Sequence, residues 1–169
     1  MKTLLVVRHA KAKRGPEFTS DLDRPLAKRG KSDIEALAMA LAAAGLVPQR
    51  LLSSPAKRAR QTAARLCEAM GCDVEIEIYD DLYFGDVPEH LALLRQLEDD
   101  TDIAAIVGHN PTLEELVASL TSLAVPLGTC HVAQLAVPVA WAALEPAGAT
   151  LQRIWTPDRS REDAETEET

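Results

Sequence analysis

Three short stretches of this sequence follow an apolar run and carry side chains that can do chemistry. The first is Arg8-His9, the second is Ser53-Ser54-Pro55 with Arg58 close behind, and the third is 108–111, Gly-His-Asn-Pro. In a parallel sheet the carboxyl ends of the strands lie on one side, where open α/β sheets bind their ligands. If the three runs are parallel strands, two arginines and two histidines converge on one crevice.

Such a grouping has a direct chemical meaning. The planar fork of arginine matches the oxygens of a phosphoryl group and stays charged when it is desolvated. A histidine among arginines has its pKa pushed down by like charge, so its imidazole stays neutral and nucleophilic near pH 7. A second histidine can bond phosphoryl oxygens or share proton transfer. The alternative is that Arg8 and His9 only mark the return of the chain to solvent, since charges are common at strand ends.

The elements that must position these residues follow from periodicity and from turn residues. Short apolar runs predict strands over 4–7, 50–54, 73–78 and 103–107, and helical spacing predicts helices over 28–44, 56–70, 90–98 and from Pro111 to Leu120. The polar segment 11–27 is predicted to be a surface loop over the end of the sheet. Three further β runs, 132–137, 140–144 and 150–155, predict a terminal meander.

This order of elements predicts an α/β fold. Four β-then-α units followed by antiparallel strands indicate a three-layer sandwich, with a mostly parallel central sheet flanked by helices and a C-terminal antiparallel meander. Its 169 residues suit a single domain, which we expect over 1–157. Segment 158–169 holds six acidic residues against two arginines, about half of the net charge of −8, and is expected to be disordered.

Composition excludes several classes of function. An acidic body argues against nucleic-acid and anionic-membrane binding, and no apolar run reaches transmembrane length. No Gly-x-x-x-x-Gly-Lys loop or His-Glu-x-x-His pattern is present, which argues against a nucleotide-hydrolysing P-loop and against a zinc site on His9 and His109. We therefore expect no metal and no cofactor.

The cysteines and the N-terminus bear on location. Three cysteines, an odd number without metal-ligand spacing, favour a reducing compartment: Cys67, Cys72 and Cys130. The apolar run before Arg8 is too short for a signal peptide. We expect a cytoplasmic monomer.

The three stretches also resemble a known family. Arg8-His9-Ala10 resembles the Arg-His-Gly signature of the histidine phosphatase superfamily, 54–63 resembles its Ser-Pro-x-x-Arg-Ala-x-Gln-Thr-Ala block, and 107–111 resembles its third block. The short length, Arg24-Pro25-Leu26 and the absence of lid insertions look most like the small SixA-type phosphohistidine phosphatases. The resemblance covers roughly residues 3–156, and Ala10 in place of glycine is a small departure.

The resemblance implies roles for individual residues. It makes His9 the nucleophile that is transiently phosphorylated, and Arg8, Arg58 and His109 the phosphate pocket. Larger members place a proton-donating Glu or Asp between the second and third blocks. That region holds four candidate acids, of which we favour the second: Asp80, Asp81, Asp86 and Glu89. For each of them, a solvated loop carboxylate is the simpler interpretation.

Other polar residues have weaker patterns. We expect His90, near the start of a helix, to be a surface residue, and His131 to have a structural role. Lys11, Lys13 and Arg14 are either a solvated turn or a means of attracting an anionic substrate.

Together these observations predict a metal-independent phosphatase that forms phosphohistidine on His9. By resemblance, its substrate is phosphohistidine on a protein. Two alternatives stay open: a phosphatase for a small phosphomonoester, and a non-catalytic phosphate-binding regulatory domain that kept the pocket.

Overall fold

The centre of the fold is one mixed sheet, in a computed structural model that describes residues 1–157. Its strands are β1 (Lys2–Arg8), β2 (Arg50–Ser53), β3 (Ile76–Ile78), β4 (Ile103–Gly108), β5 (Val132–Val137) and β6 (Thr150–Trp155). Their order across the sheet is β3-β2-β4-β1-β5-β6. The first four pair in parallel, whereas β5 and β6 pair antiparallel at one side.

Helices cover both faces of this sheet. They are α1 (Lys28–Ala43), α2 (Lys57–Met70), α3 (Asp81–Phe84), α4 (Val87–Arg95) and α5 (Thr112–Thr121). Leu5 and Val7 of β1 pack with α1 and α2 in one core cluster, while Leu4 and Val6 pack with α4 and α5 in the other. The predicted α/β sandwich is therefore confirmed, and β1 is buried on both faces, as its unbroken apolar run indicated.

The register of the parallel strands brings the three chemical stretches to one edge. Arg8 pairs with Gly108, and Ser53 pairs with Val107. Just beyond these pairs, the His9 amide donates to the Gly108 carbonyl at 3.1 Å. The chain therefore leaves β1, β2 and β4 at the same height, and the residues that follow each strand face a common crevice.

The predicted strand over 140–144 is wrong. Its centre is a 3-10 turn, Trp141–Ala143, because β6 already occupies the free edge of β5. The Trp141 ring is fully buried, and its Nε1 donates to the Thr101 carbonyl at 2.9 Å. The run is apolar because it packs beneath helices. The antiparallel part of the sheet thus has two strands where three were predicted, and β3 is shorter than the predicted 73–78.

The prediction that His90 is a surface residue is also wrong. Its side chain is 1% exposed in α4, beside Leu91 and Leu94, which pack against the sheet. The ring bonds the Asp86 carbonyl through Nδ1 at 2.8 Å, and its Nε2 has no partner among residues 1–157. Burial lowers the pKa of His90 below its usual value.

Segment 11–27 lies over the end of the sheet, as predicted, but it is more ordered than a plain loop. Ala12 and Leu26 form an antiparallel bridge, and Asp21–Asp23 makes a 3-10 turn capped by Ser20. The predicted acidic tail, 158–169, lies outside the described residues. Among the described helices, none is both long and apolar enough to cross a membrane.

Candidate active site

The residues after β1, β2 and β4 meet in one crevice. The rings of His9 and His109 lie 5.0 Å apart between centroids, tilted by 50°. Arg58 reaches both of them: its Nε lies 3.4 Å from His9 Nε2, and its Nη2 lies 3.4 Å from His109 Nδ1. Three of the predicted site residues are thus in mutual contact, and Arg8 lines the same cavity as His9 and Arg58.

His9 presents Nε2, an unprotonated ring nitrogen, to Arg58 in the crevice. Its Nδ1 lies 2.8 Å from the Ala10 carbonyl, which can only accept, so Nδ1 carries the proton and Nε2 is left as an acceptor. The ring is 9% exposed. Burial is the main cause that lowers the pKa of His9 to about 4, and the charges of Arg58 and Arg8 act in the same direction. His9 is therefore a neutral imidazole near pH 7.

His109 is held from the opposite side by the second strand end. Its Nε2 lies 2.8 Å from Ser54 Oγ, which also accepts the Ala56 amide at 3.1 Å. Because Arg58 Nη2 can only donate, His109 Nδ1 is an acceptor and Nε2 carries the proton. Burial, followed by the neighbouring His9 and Arg58, lowers the pKa of His109 to about 3. This ring is neutral as well.

Arg58 lies in the first turn of α2, and its two edges are used differently. The inner edge, Nε with Nη2, faces the two histidines. The outer edge is held by Asp21, whose carbonyl accepts from Nη1 at 2.7 Å and whose Oδ2 accepts from Nη2 at 2.8 Å. The guanidinium is 6% exposed and cannot rotate without breaking the contacts to Asp21. It therefore presents a fixed fork to the crevice.

Arg8 is anchored to the segment that precedes β5. Its Nη1 donates to the Leu127 carbonyl at 3.1 Å, and the same carbonyl accepts from Asn110 Nδ2 at 2.7 Å. Glu114 receives a second bond from Asn110 and one from the Leu127 amide, so these residues form one small network. Burial lowers the pKa of Arg8, and its Nε has no partner within residues 1–157. Arg8 therefore lines the cavity and holds one buried N–H without a partner among the described residues.

Asp21 is the site residue that sequence reasoning missed. Its carboxylate also accepts from Tyr83 and Arg24, each at 2.8 Å. Burial by itself would raise the pKa of Asp21, but the hydrogen bonds from Arg24, Tyr83 and Arg58 lower it well below the usual range. Asp21 is therefore ionised at every working pH. No spacing rule singles it out among the polar residues of 11–27, because its position depends on how that segment folds back over α2.

The crevice itself is an open cavity of about 710 Å³. Ten residues line it: Arg8, His9, Lys11, Ala12, Lys13, Arg14, Arg24, Ala27, Arg58 and Thr129. Six of these are cations and none is a carboxylate, although the whole chain is acidic. Such a lining suits an anionic ligand.

The four candidate proton donors lie in the first turns or N-caps of α3 and α4. Asp80 and Asp81 are exposed at the start of α3, and neither forms a hydrogen bond or ion pair with the four predicted pocket residues. Asp86 and Glu89 form the capping box of α4. A donor role for Asp81 therefore stays a prediction. His131 accepts a hydrogen bond from the Gly128 amide at 2.9 Å, in the turn before β5.

Comparisons with known proteins identify the family of this chain. The model of the histidine phosphatase superfamily (branch 1) matches residues 4–84. The structure of SixA from Nakamurella multipartitia is 30% identical, with a TM-score of 0.79 over 92% of this chain and 96% of its own. The chain belongs to the histidine phosphatase superfamily and is of the SixA type. The family match covers the first two strand ends of the site, and the structural match includes the third.

Two further proteins are similar to this chain, one in sequence and one in fold. An uncharacterized chloroplastic protein of Arabidopsis thaliana is 30% identical over 94% of this chain and 79% of its own length. A mycobacterial glucosyl-3-phosphoglycerate phosphatase shares the fold at 17% identity, with a TM-score of 0.68 over 93% of this chain and 99% of its own.

Within residues 1–157, no group of three or more His, Cys, Asp or Glu side chains could hold a metal ion.

Proposed function

We propose that this phosphatase removes phosphate from phosphohistidine on proteins through a covalent intermediate on His9. The observation that carries the proposal is the state of His9: a buried, neutral imidazole with its Nε2 lone pair beside the inner edge of Arg58. A nucleophile must hold a lone pair at the working pH, and a protonated imidazole has none. A cytoplasmic location, a monomeric state and independence from metal ions belong to the same proposal.

In the first step, Nε2 of His9 attacks phosphorus in line with the bond to the leaving group. The new P–N bond forms as the bond between phosphorus and the substrate nitrogen breaks, and the electron pair leaves with the substrate imidazole. Arg58, through its inner edge, and Arg8, which lines the same cavity, stabilise the equatorial oxygens, where negative charge concentrates. The leaving group takes a proton from Asp81 or from solvent.

In the second step, water attacks the phosphorus of phosphorylated His9. The P–N bond to His9 breaks, inorganic phosphate forms, and Nε2 regains its lone pair. The Nδ1–H bond to the Ala10 carbonyl keeps the ring in one orientation and one tautomer through both steps. His109 stays beside the transferred group, oriented by Ser54.

Two observations support a protein as the substrate: the short connections between the strands, and one similar solved structure. Between β1 and β2, the chain forms one loop, a single 3-10 turn and α1, and between β3 and β4 it forms α3 and α4. Neither connection closes over the cavity as a lid would, so a phosphorylated side chain on another protein can enter. A similar structure with bound tungstate is named the protein histidine phosphatase SixA. The P–N bond of phosphohistidine also breaks more readily than the P–O bond of an alkyl phosphate ester. This suits a site in which the one carboxylate of residues 1–157 in contact with a pocket residue, Asp21, is ionised and has no proton to give.

The proposal is tested by trapping and by competition. Rapid quench with labelled substrate, in the presence of EDTA, should give an acid-labile, base-stable phosphate on His9, and His9→Ala should abolish both label and turnover. Label on a serine or cysteine would refute the mechanism. A phosphohistidine protein and small phosphomonoesters then compete at equal concentration. Hydrolysis of a metabolite at kcat/KM above about 10⁵ M⁻¹s⁻¹, while the protein is ignored, would refute the substrate class.

A further inference from the structure

One wall of the crevice carries three cations that the phosphoryl chemistry does not use: Lys11, Lys13 and Arg14, here called the basic wall. Lys11 and Lys13 flank Ala12, which is 9% exposed and bridges to Leu26 in extended backbone. Since side chains alternate along extended backbone, Lys11 and Lys13 lie on the same side of this segment, and both line the crevice. The spacing of two residues therefore aims both charges in one direction.

The backbone of the basic wall is fixed before any ligand binds. The Lys13 amide donates to the Pro25 carbonyl at 2.9 Å, and the Ala27 amide donates to the Lys11 carbonyl at 2.9 Å. Gly30 of α1 approaches so closely that a Cβ there would lie 2.3 Å from the Lys11 oxygen. The two lysines are thus carried on a braced segment, and a ligand would not have to order it.

The charges of the basic wall have no internal partner. Within residues 1–157, no carboxylate lies within 4.0 Å of the Lys11, Lys13 or Arg14 side chains, although Arg24 and Arg58, which line the same cavity, both pair with Asp21. Like charges side by side repel one another, and the chain as a whole is acidic, with a net charge of −8. An unbalanced cationic wall beside a phosphate pocket favours a second anion next to the phosphoryl group.

All three residues of the basic wall are exposed, which bears on the source of that anion. A site for a small second anion would enclose its cations, whereas exposed cations at the mouth of a cavity meet the surface of a docked protein. Resting on the function proposed above, we propose that the basic wall binds carboxylates flanking the phosphohistidine of the protein substrate. It would thereby select acidic phosphohistidine sites over neutral ones.

The test compares two phosphohistidine peptides of one length, in which the flanking residues are Asp and Glu or Asn and Gln. For the wild type, kcat/KM should be roughly 5- to 20-fold higher for the acidic peptide, which corresponds to two or three exposed ion pairs. The double variant Lys13→Gln/Arg14→Gln should reduce this ratio to below about twofold. Salt at 0.5 M should reduce it as well, because exposed charges are screened.

The matched control is Lys2→Gln/Arg65→Gln, which removes the same net charge. Lys2 lies at the amino end of β1 and pairs with Asp99, and Arg65 lies two turns along α2 beyond Arg58. The control should keep the wild-type preference. Loss of the preference in this variant would mean that net charge, and not the basic wall, is responsible, and the inference would fall.

The remaining outcomes separate the inference from the proposed function. Equal hydrolysis of both peptides by the wild type refutes the basic wall but leaves a phosphohistidine phosphatase intact. A preference that persists in Lys13→Gln/Arg14→Gln refutes the assignment to these residues. A small bisphosphate hydrolysed faster than the acidic peptide refutes a protein as the source of the second anion. If neither peptide is hydrolysed while a chromogenic phosphomonoester is, the proposed function itself fails.

Discussion

Replacing Asp21 by asparagine separates positioning from chemistry in this site. The carboxylate holds the outer edge of Arg58 and also accepts from Tyr83 and Arg24. Asparagine keeps the size and one acceptor oxygen, and the backbone bond from Arg58 to residue 21 remains. The substitution removes the negative charge that fixes the orientation of the Arg58 guanidinium plane. We therefore expect slower turnover without unfolding.

The size of the effect follows from the strength of the bond and from its exposure. A hydrogen bond to a charged group contributes about 1.5–3 kcal/mol. The Asp21 side chain is 46% exposed, so solvent screening reduces this contribution to about 1–1.5 kcal/mol. At about 1.36 kcal/mol for each tenfold change, kcat should fall roughly 5- to 13-fold. Affinity for inorganic phosphate should not fall, because Arg58 loses a competing anion.

The assay is steady-state hydrolysis of a phosphohistidine peptide, with the inhibition constant of phosphate measured in parallel. Asp23→Asn is the matched control: this acid is exposed two residues further on, and its only bond to another side chain within the described residues comes from Thr19. A loss as complete as that of His9→Ala would mean that Asp21 takes part in proton transfer. No difference from Asp23→Asn would refute a role for Asp21 in holding Arg58.

Three further predictions concern the catalytic groups. Arg58→Ala should lower kcat/KM by roughly 10²–10⁴, and Arg58→Lys should recover little of this loss, because a point charge cannot replace the planar fork of arginine. Arg60→Ala should be tolerated. Equal losses at Arg58 and Arg60 would contradict the placement of Arg58 in the pocket. If Asp81 protonates the leaving group, Asp81→Asn should slow the hydrolysis of substrates with poor leaving groups more than that of activated aryl phosphates. A uniform effect on both kinds of substrate would mean that Asp81 is only a solvated carboxylate. The third concerns pH. In the unfolded chain His9 binds its proton at pH values below about 6.5, whereas in the fold it does so only near pH 4, so the free energy of unfolding should decrease as pH falls through that window. Urea unfolding should show the wild type losing about 2 kcal/mol more than His9→Ala between pH 7 and pH 5; equal losses would refute the lowered pKa.

The parts of the site that could be predicted are those fixed by strand ends. Arg8-His9 and Gly108-His109 each follow an unbroken apolar run, and such a run in a chain of β-then-α units indicates a buried parallel strand. Parallel register then brings their ends together whatever the loops do. The same reasoning brought Arg58 to the site, because α2 begins directly after β2.

The parts that could not be predicted depend on tertiary packing. Asp21 reaches Arg58 only because Ala12 and Leu26 pair and fold the intervening segment back over α2. His90 was expected at the surface because polar residues usually lie there, yet its ring bonds its own helix through the Asp86 carbonyl. Segment 140–144 is apolar and short, and such runs do not distinguish a strand from a buried turn.

The neutrality of both histidines ties the fold to the chemistry. His9 is buried and His109 is half-buried, desolvation is the main cause that lowers each pKa, and Arg58 between them lowers both further. The nucleophile therefore keeps its lone pair without a neighbouring base to remove a proton. Burial of Arg58 is in turn compensated by Asp21, which holds its outer edge and leaves its inner edge for the phosphoryl group. The carboxylate that makes a buried cation tolerable thus also limits the directions in which that cation can donate, and this explains why a site for an anion contains an acid.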